Sequence, residues 1–131
     1  MKGLEQGRAE FAYKCALEAR EDTKVDNDEY KSYSIKILTY IKTNGLGATY
    51  AFIKGKGQKS KAYKMIYEQT AEWLRKDEKN LLGLKKDDEL VEKVISVDSA
   101  IYRATTNEVL AFFRWVSRFA DGLMKKEKNK K

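Results

Sequence analysis

The sequence predicts an all-α fold, a single compact bundle of five to seven helices that ends in a long C-terminal helix. Apolar residues recur three and four positions apart in nearly every segment, which is the spacing of a buried helix face. Proline interrupts helices, and none occurs among the 131 residues. The length suits one domain and no internal repeat is found, so residues 1–124 are assigned to a single helical domain.

The first two predicted helices cover residues 4–22 and about 28–44. A face of small residues on the first helix predicts close packing against a neighbour. Asp28 is the expected N-cap of the second helix, which should stop at Gly45. A glycine just past a helix end can adopt the left-handed conformation that caps the last carbonyls. Leu46 then stands where it can fold back onto the helix that has just ended.

Two further helices are predicted in the middle of the chain. A short one at about 47–54 should place Ala51 and Phe52 toward the core. A longer one at about 59–77 has one stripe of aromatic, aliphatic and threonine side chains, with Trp73 beside it. That stripe consists of Tyr63, Ile66, Tyr67, Thr70 and Leu74.

The C-terminal part begins with a charged linker, residues 77–86, whose leucines are expected to tuck against the bundle. Asp87 or Asp88 should cap a short helix, and Asp98 should cap the last one, at about 99–124. The apolar face of this last helix is wide enough for a central helix that other helices surround. It consists of Ile101, Thr105, Val109, Phe112, Phe113, Val116, Phe119, Ala120 and Leu123.

Positive charge is concentrated in two segments. The chain has a net charge of +7, of which residues 54–64 contribute five lysines and no acid. The tail, residues 125–131, adds five lysines and one glutamate, and we expect it to be disordered. Such segments either bind polyanions or are simply solvated, and both interpretations remain open. The lysines of the first segment, named the lysine cluster below, are Lys54, Lys56, Lys59, Lys61 and Lys64.

Three arginines of the last predicted helix share one side, and we name them the arginine stripe. Arg114 and Arg118 are four residues apart, and Arg103 lies three turns earlier. These side chains could contact phosphates of a nucleic acid, or pair with acids of a neighbouring helix or subunit. The sequence favours neither alternative.

No motif in the chain predicts an enzyme, a cofactor or a metal site. There is no histidine, which removes the commonest general base and metal ligand. The single cysteine, Cys15, lies on an alanine-rich helix face, where a small buried residue is the simpler interpretation. The pair Lys59-Ser60 is preceded by Gln58, so the glycine that a phosphate-binding loop requires is missing. Acid pairs such as Asp87/Asp88 stand at predicted helix ends, where carboxylates act as caps.

The chain also lacks the marks of a secreted or membrane protein. Its N-terminus is charged throughout, and its longest apolar run, VLAFF, is far too short to cross a bilayer. One cysteine cannot form an internal disulfide, which fits a reducing compartment. We therefore expect a cytoplasmic protein with no membrane partner.

Four short motifs, taken in order, resemble the small α-helical subunit of the type III-B CRISPR effector, the Cmr complex. The resemblance implies an all-helical, non-catalytic subunit, several copies of which stack as a filament beside the larger subunits that hold the guide RNA. The expected partners are thus other Cmr subunits, copies of the same chain, and the guide and target RNA. The motifs are Gln6-x-Arg8-Ala9, Asn44-Gly45-Leu46-Gly47, Tyr102-Arg103-x-Thr105 and Trp115…Arg118-Phe119-Ala120.

In such a complex, we expect the lysine cluster and the arginine stripe to lie near the path of the RNA. The cluster is expected to form a loop that Gly55 and Gly57 leave free to follow a nucleic-acid backbone. No aromatic residue occurs between Lys54 and Lys61, so the contacts should read phosphate charge rather than base identity. Binding by an isolated chain should be weak, independent of sequence and sensitive to salt. From the residues alone, a free-standing basic helical adaptor that binds nucleic acid or a partner protein remains the alternative.

Overall fold

The chain folds into a bundle of α-helices. The structure is a computed structural model that describes residues 3–124. Within that range the helices are α1 (Leu4–Glu21), α2 (Asn27–Asn44), α3 (Leu46–Lys56), α4 (Lys61–Lys76), α5 (Leu90–Ser96) and α6 (Ser99–Leu123). The prediction of an all-α fold with a long C-terminal helix is therefore confirmed. The tail that was expected to be disordered, residues 125–131, lies outside the described residues.

Helix α6 is the longest helix of residues 3–124, with α1 and α2 packed along it. Helix α1 points in the same direction as α6, because Arg8 meets Glu108 and Tyr13 meets Phe119 further along both helices. Helix α2 runs the opposite way, with its first turns near the C-terminal end of α6. Most of the wide apolar face predicted for the last helix is buried against these neighbours. The opposite side of α6 is exposed, so the expectation that other helices surround it is wrong.

Three aromatic rings from three helices meet in the core. Trp73 of α4 stacks on Phe112 of α6, with 5.4 Å between the ring centroids and 6° between the planes. Phe11 of α1 lies 5.5 Å from Trp73 and 5.9 Å from Phe112. Because each ring removes a large apolar area from water, this contact joins α4 to the α1–α6 pair.

A buried carboxylate, Glu108 of α6, joins α1, α4 and the linker after α4. Its oxygens accept hydrogen bonds from Arg8 Nε (2.7 Å) and Nη2 (2.9 Å), Trp73 Nε1 (2.9 Å) and Lys79 Nζ (3.0 Å). Burial raises the pKa of Glu108, but the hydrogen bonds from these donors outweigh burial, so the pKa lies below its ordinary value. The carboxylate therefore stays ionised inside the bundle.

Helices α2 and α3 are joined by one residue, Gly45. Its N–H donates to the carbonyl of Ile41 (2.8 Å), and its own carbonyl accepts from the N–H of Thr49 (3.1 Å). The backbone at Gly45 has φ 90° and ψ 159°, a combination almost confined to glycine. The predicted stop at this glycine is confirmed, but ψ is extended where a left-handed helical value was expected.

Tyr102 holds this junction against α6. The N–H of Gly47 donates to Tyr102 Oη over 2.9 Å. A Cβ atom added to Gly45 would lie 3.2 Å from the same oxygen, so Tyr102 would have to shift slightly to admit a larger residue. Two motifs that are far apart in the sequence, one around Gly45 and one around Tyr102, therefore form a single contact.

The buried face of α3 differs from the prediction. Ala51 is exposed and Phe52 is 47% exposed, so the expectation that both face the core is wrong. Tyr50 and Ile53 are buried instead. Small residues and glycines are spread around α3, so no single face is clearly apolar. Packing against α2, α4 and α5 decides which side is buried.

The helix caps agree only in part with the prediction. Asp98 caps α6 as expected, accepting a hydrogen bond from the N–H of Ile101. The N-cap of α2 is Asp26 rather than Asp28, which lies inside the first turn. Helix α5 begins after Glu89 without a side-chain cap, so neither predicted aspartate caps it.

Replacing Gly45 with alanine should lower the free energy of unfolding by about 1–3 kcal/mol, because residues with a Cβ atom rarely adopt this conformation. Gly55→Ala is the matched control. Gly55 lies inside α3 and an added Cβ would have no neighbour within 4 Å, so alanine should be neutral or stabilising there. Urea unfolding of both variants measures the difference. Equal midpoints would contradict the conformation assigned to Gly45.

Replacing Glu108 with glutamine should lower the free energy of unfolding by about 3 kcal/mol at neutral pH, the lower end of the range for breaking a buried ion pair. Arg8 then loses its buried partner and keeps only the exposed carboxylate of Glu5, which accepts from its Nη1 over 2.6 Å. As the pH falls from the ordinary carboxyl value of 4.5 through the lower folded-state value, wild-type Glu108 takes up a proton and loses its contribution. The difference between the two proteins should therefore narrow in acid.

Urea unfolding at neutral pH and at about pH 3 tests this expectation. The control is Glu72→Gln, which removes an exposed ion pair with Lys76 on α4 and should change stability by less than about 0.5 kcal/mol. A loss at Glu108 no larger than the loss at Glu72, or one that does not depend on pH, would show that the buried carboxylate is not ionised.

Candidate nucleic-acid interface

The lysine cluster lies where two helices meet and not on a free loop. Its first two members belong to the last turn of α3, its last two to the first turn of α4, and only Lys59 stands in the turn between them. The expectation of a loop that can follow a nucleic-acid backbone is therefore wrong. The five ammonium groups are instead displayed from a short, ordered corner of the bundle.

Two local features produce this corner. The side chain of Ser60 accepts a hydrogen bond from the N–H of Tyr63 and so caps α4. Gly57 has an ordinary helical φ of -63°, and a Cβ on it would lie 3.1 Å from the backbone of Lys64. This glycine allows α3 and α4 to approach each other closely, and Gly55 lies within α3 itself. The two glycines therefore do not make the segment flexible.

The lysines of the cluster differ in their partners. Lys54 forms an ion pair with Glu89 at 2.5 Å, and Glu89 also accepts a hydrogen bond from the hydroxyl of Tyr67. The ammonium groups of the other four lysines form no ion pair with any described residue. Four of the five lysines that were predicted to contact RNA can thus attract an anion, whereas Lys54 already has a carboxylate beside it.

A shallow groove of about 310 Å³ runs between α3 and α4 beneath the cluster. Lys54 and Lys64 line it together with Tyr67 and Gln58, and Glu68 stands on the same wall. The structure therefore brings two of the predicted lysines to one concave surface, although an acid is present there as well.

Four aromatic side chains lie beside the cluster, and we name them the aromatic patch: Tyr33, Tyr40, Phe52 and Tyr63. Lys56 Nζ is 6.0 Å from the centroid of Phe52 and 5.8 Å from that of Tyr63, which are cation–π distances. The patch was not predicted, because its members come from three helices. Phe52 and Tyr40 remain 47% and 38% exposed, so part of the patch faces solvent.

The arginine stripe is exposed along the outer side of α6. The guanidinium groups of Arg103, Arg114 and Arg118 form no ion pair or hydrogen bond with any described residue. Pairing with an acid of a neighbouring helix, one of the two predicted alternatives, therefore does not occur within residues 3–124. Asp121, on the same side of α6, pairs instead with Lys31 at 3.4 Å.

The lysine cluster and the arginine stripe form two separate surfaces. Arg103 lines a small cleft of about 220 Å³ with Leu46 and Tyr102, at the N-terminal end of α3. The cluster begins at Lys54 near the other end of that helix, about 12 Å along the axis at 1.5 Å per residue. The remaining arginines lie further along α6. An RNA strand that touches both surfaces must therefore cross the bundle.

One signal in the sequence points to a larger basic surface than the cluster alone. No acidic residue occurs between Glu29 and Glu68, and this interval contains eight lysines. It covers nearly all of α2, the whole of α3 and the start of α4. Lys36 and Lys42 of α2 are exposed and extend the basic surface. Within this interval, the sequence prediction had included only the lysines of residues 54–64.

Acids of the predicted pairs accept hydrogen bonds in turns, and the cysteine is buried. Asp22 Oδ1 accepts from the N–H of Lys24 (2.9 Å), and Asp88 Oδ2 accepts from the N–H of Lys85 (2.8 Å). Burial raises the pKa of Cys15, which keeps its thiol protonated. Within residues 3–124, no three or more potential metal ligands gather. No helix of that range is long and apolar enough to cross a membrane.

These observations define a small, single-chain helical bundle with two exposed basic surfaces. Comparison with known families identifies it more closely. Residues 4–123 match the model of a CRISPR-associated protein family, Cas_Cmr5. Because the match covers almost the whole chain, the protein belongs to the Cas_Cmr5 family. The resemblance seen in the four sequence motifs is thus confirmed.

Two relatives from Thermus thermophilus agree with this assignment. The CRISPR system Cmr subunit Cmr5 is 28% identical over 115 residues, which cover 87% of this chain and 92% of the relative. A crystal structure of a CRISPR-associated Cmr5 family protein superposes with a TM-score of 0.76 and 26% identity. That alignment covers 95% of this chain and 100% of the other. The family fold is therefore present along nearly the full length of the chain.

Proposed function

We propose that this protein is a non-catalytic structural subunit of a type III-B Cmr complex, an RNA-guided complex that targets RNA. The observation that carries the proposal is the family match across residues 4–123, supported by the relative whose name states that it is a Cmr subunit. Its partners are the other Cmr subunits and further copies of itself. The complex acts in the cytoplasm.

The basic surfaces of the subunit lie near the guide and target RNA. Lys56, Lys59, Lys61 and Lys64, together with the arginine stripe, present charges that no described acid neutralises. Such side chains attract phosphates at any sequence, which suits a subunit that must accept whatever target the guide selects. Base pairing between guide and target then supplies the specificity.

Copies of the subunit stack head to tail. The distribution of charge supports this arrangement, because the interval between Glu29 and Glu68 has lysines and no acid. The next interval, residues 68–98, has nine acidic and six basic residues. Opposite charges on different parts of one chain favour contacts between unlike surfaces, which extend into a filament where a contact between like surfaces would close into a dimer.

The subunit has no catalytic role of its own. Candidate carboxylates such as Asp22 and Asp88 accept backbone hydrogen bonds at turns, and the Cys15 thiol is buried and protonated. A nucleophile or general base has to reach substrate in an active ionisation state. Target cleavage therefore belongs to other subunits of the complex.

Purification from the native host tests the proposed assembly. The protein should elute together with guide RNA and several larger proteins, and a nuclease digestion of the RNA should loosen that association. Elution as a lone protein, free of RNA and of larger partners, would favour the free-standing basic adaptor instead.

Replacing all five lysines of the cluster with glutamine should weaken target-RNA binding by the assembled complex. The affinity of the variant should also depend less on salt. The slope of log affinity against log salt concentration should be smaller in magnitude by about 3 if four lysines each contact a phosphate. Filter binding over a series of salt concentrations measures both quantities. The bundle should remain folded, since these side chains are exposed.

The matched control removes the same amount of charge elsewhere. Glutamine is placed at five other exposed lysines, and both the affinity and the salt dependence should stay near wild type. If the two variants behave alike, the cluster acts only through net charge and does not lie beside RNA. The control positions are Lys14, Lys24, Lys76, Lys85 and Lys86.

A further inference from the structure

We propose that the aromatic patch is a stacking site for unpaired bases of single-stranded RNA. The proposal rests on the proposed function, which places RNA beside the lysine cluster, and it adds the kind of contact that the RNA makes. The patch lies on α2, α3 and α4, and its exposed members are Phe52 and Tyr40.

The geometry of the rings suits stacking. Tyr40 and Tyr63 meet Phe52 at interplanar angles of 88° and 87°, with centroids 6.4 Å and 6.3 Å away. Neither ring therefore covers Phe52 face to face. Tyr33 is buried beneath and lies 4.6 Å from Tyr63, so the exposed rings rest on a packed base. Rings held in this way can accept a base without first becoming ordered.

The charges around the patch suit a phosphate chain. Lys56 lies over two of its rings, and Lys36 shares the side of α2 that carries Tyr33 and Tyr40, three residues before and four residues after it. The acid nearest along α2 is Glu29, which accepts a hydrogen bond from Ser60. Basic grooves with aromatic rings are how proteins bind single strands without sequence preference.

Two comparisons favour RNA over a protein partner. Lysine is depleted in protein–protein interfaces, whereas it borders this patch. The chain also has a second group of surface rings, in which Tyr13 packs edge-on against Phe119. In that group Trp115 donates a hydrogen bond to Glu5, and among residues 3–124 no lysine lies over its rings, whereas Lys56 lies over two rings of the patch.

The bases that stack here must be unpaired. In a duplex each base is covered on both faces by its neighbours, and only its edges and the backbone remain available. The patch therefore selects single-stranded over double-stranded RNA. Every base has a flat aromatic face, so stacking adds affinity without reading sequence.

The test compares two strands that carry equal numbers of phosphates, using the full-length protein at low salt. One strand is a fluorescein-labelled oligouridine of about twelve nucleotides, within the usual span of such sites. The other is an abasic strand of the same length. Wild-type protein should bind oligouridine about fivefold more tightly, the lower end of the range for base–aromatic stacking. Fluorescence anisotropy measures both affinities.

Variants locate the preference on the patch. In Phe52→Leu combined with Tyr40→Leu, the fivefold preference should disappear while the affinity for the abasic strand is unchanged. Phe52→Trp keeps an aromatic face and should retain the preference. Tyr13→Leu is the control, since Tyr13 is 43% exposed, close to the 47% of Phe52, and belongs to the other group of surface rings. Its preference should equal that of wild type, and melting temperatures confirm that each variant is folded.

The outcomes separate this inference from the proposed function. Equal binding of both strands by wild type, or an equal loss in Tyr13→Leu, overturns the stacking site and leaves the phosphate contacts intact. Absence of binding to either strand overturns the RNA-facing surface and the stacking site together. If the patch covers a second copy of the chain, the two strands bind alike and the sedimentation coefficient of wild type rises with protein concentration, whereas that of Phe52→Leu does not.

Discussion

The ionised carboxylate of Glu108 is the constraint on which the arrangement of the bundle depends. A charge in the interior is tolerated only when donors surround it, and here they come from α1, α4 and the linker that follows. Because Glu108 contacts all of these donors at once, both the position of α6 along its axis and its rotation about that axis are fixed. Because Arg103 and Arg114 lie on the other side of that helix, the same constraint turns the arginine stripe toward solvent.

The junction at Gly45 controls the second surface in a comparable way. With one residue between α2 and α3, the direction of α3 follows from a single pair of dihedral angles and from the contact of Gly47 with Tyr102. With this direction of α3, Phe52 packs against Tyr33 of α2, and Lys56 lies over the ring of Tyr63 in the first turn of α4. An apolar and cationic surface is thus assembled from residues that no local pattern connects.

Features that depend on local sequence could be predicted, and those that depend on distant partners could not. The stop at Gly45, the cap at Asp98 and the apolar face of α6 each follow from neighbouring residues. The burial of Glu108 does not, since its partner Arg8 stands 100 residues away. Phe52 was placed inward because α3 has no dominant apolar side of its own. The lysine cluster was identified by composition, but its glycines were taken as a source of flexibility. Gly55 lies inside α3 instead, and Gly57 permits the close approach of α3 and α4.

The absence of acids between Glu29 and Glu68 has a consequence for how the surface responds to its surroundings. With no carboxylate in the interval and no histidine in the chain, its ionisable side chains are lysines and tyrosines. Both types generally exchange protons only near pH about 10. The interval therefore contains no side-chain type whose ordinary pKa lies near neutral pH, and the charges that its lysines carry all have the same sign. A polyanion held on this surface by charge alone would therefore respond to the ionic strength of its surroundings, because dissolved ions screen and compete for exposed charges.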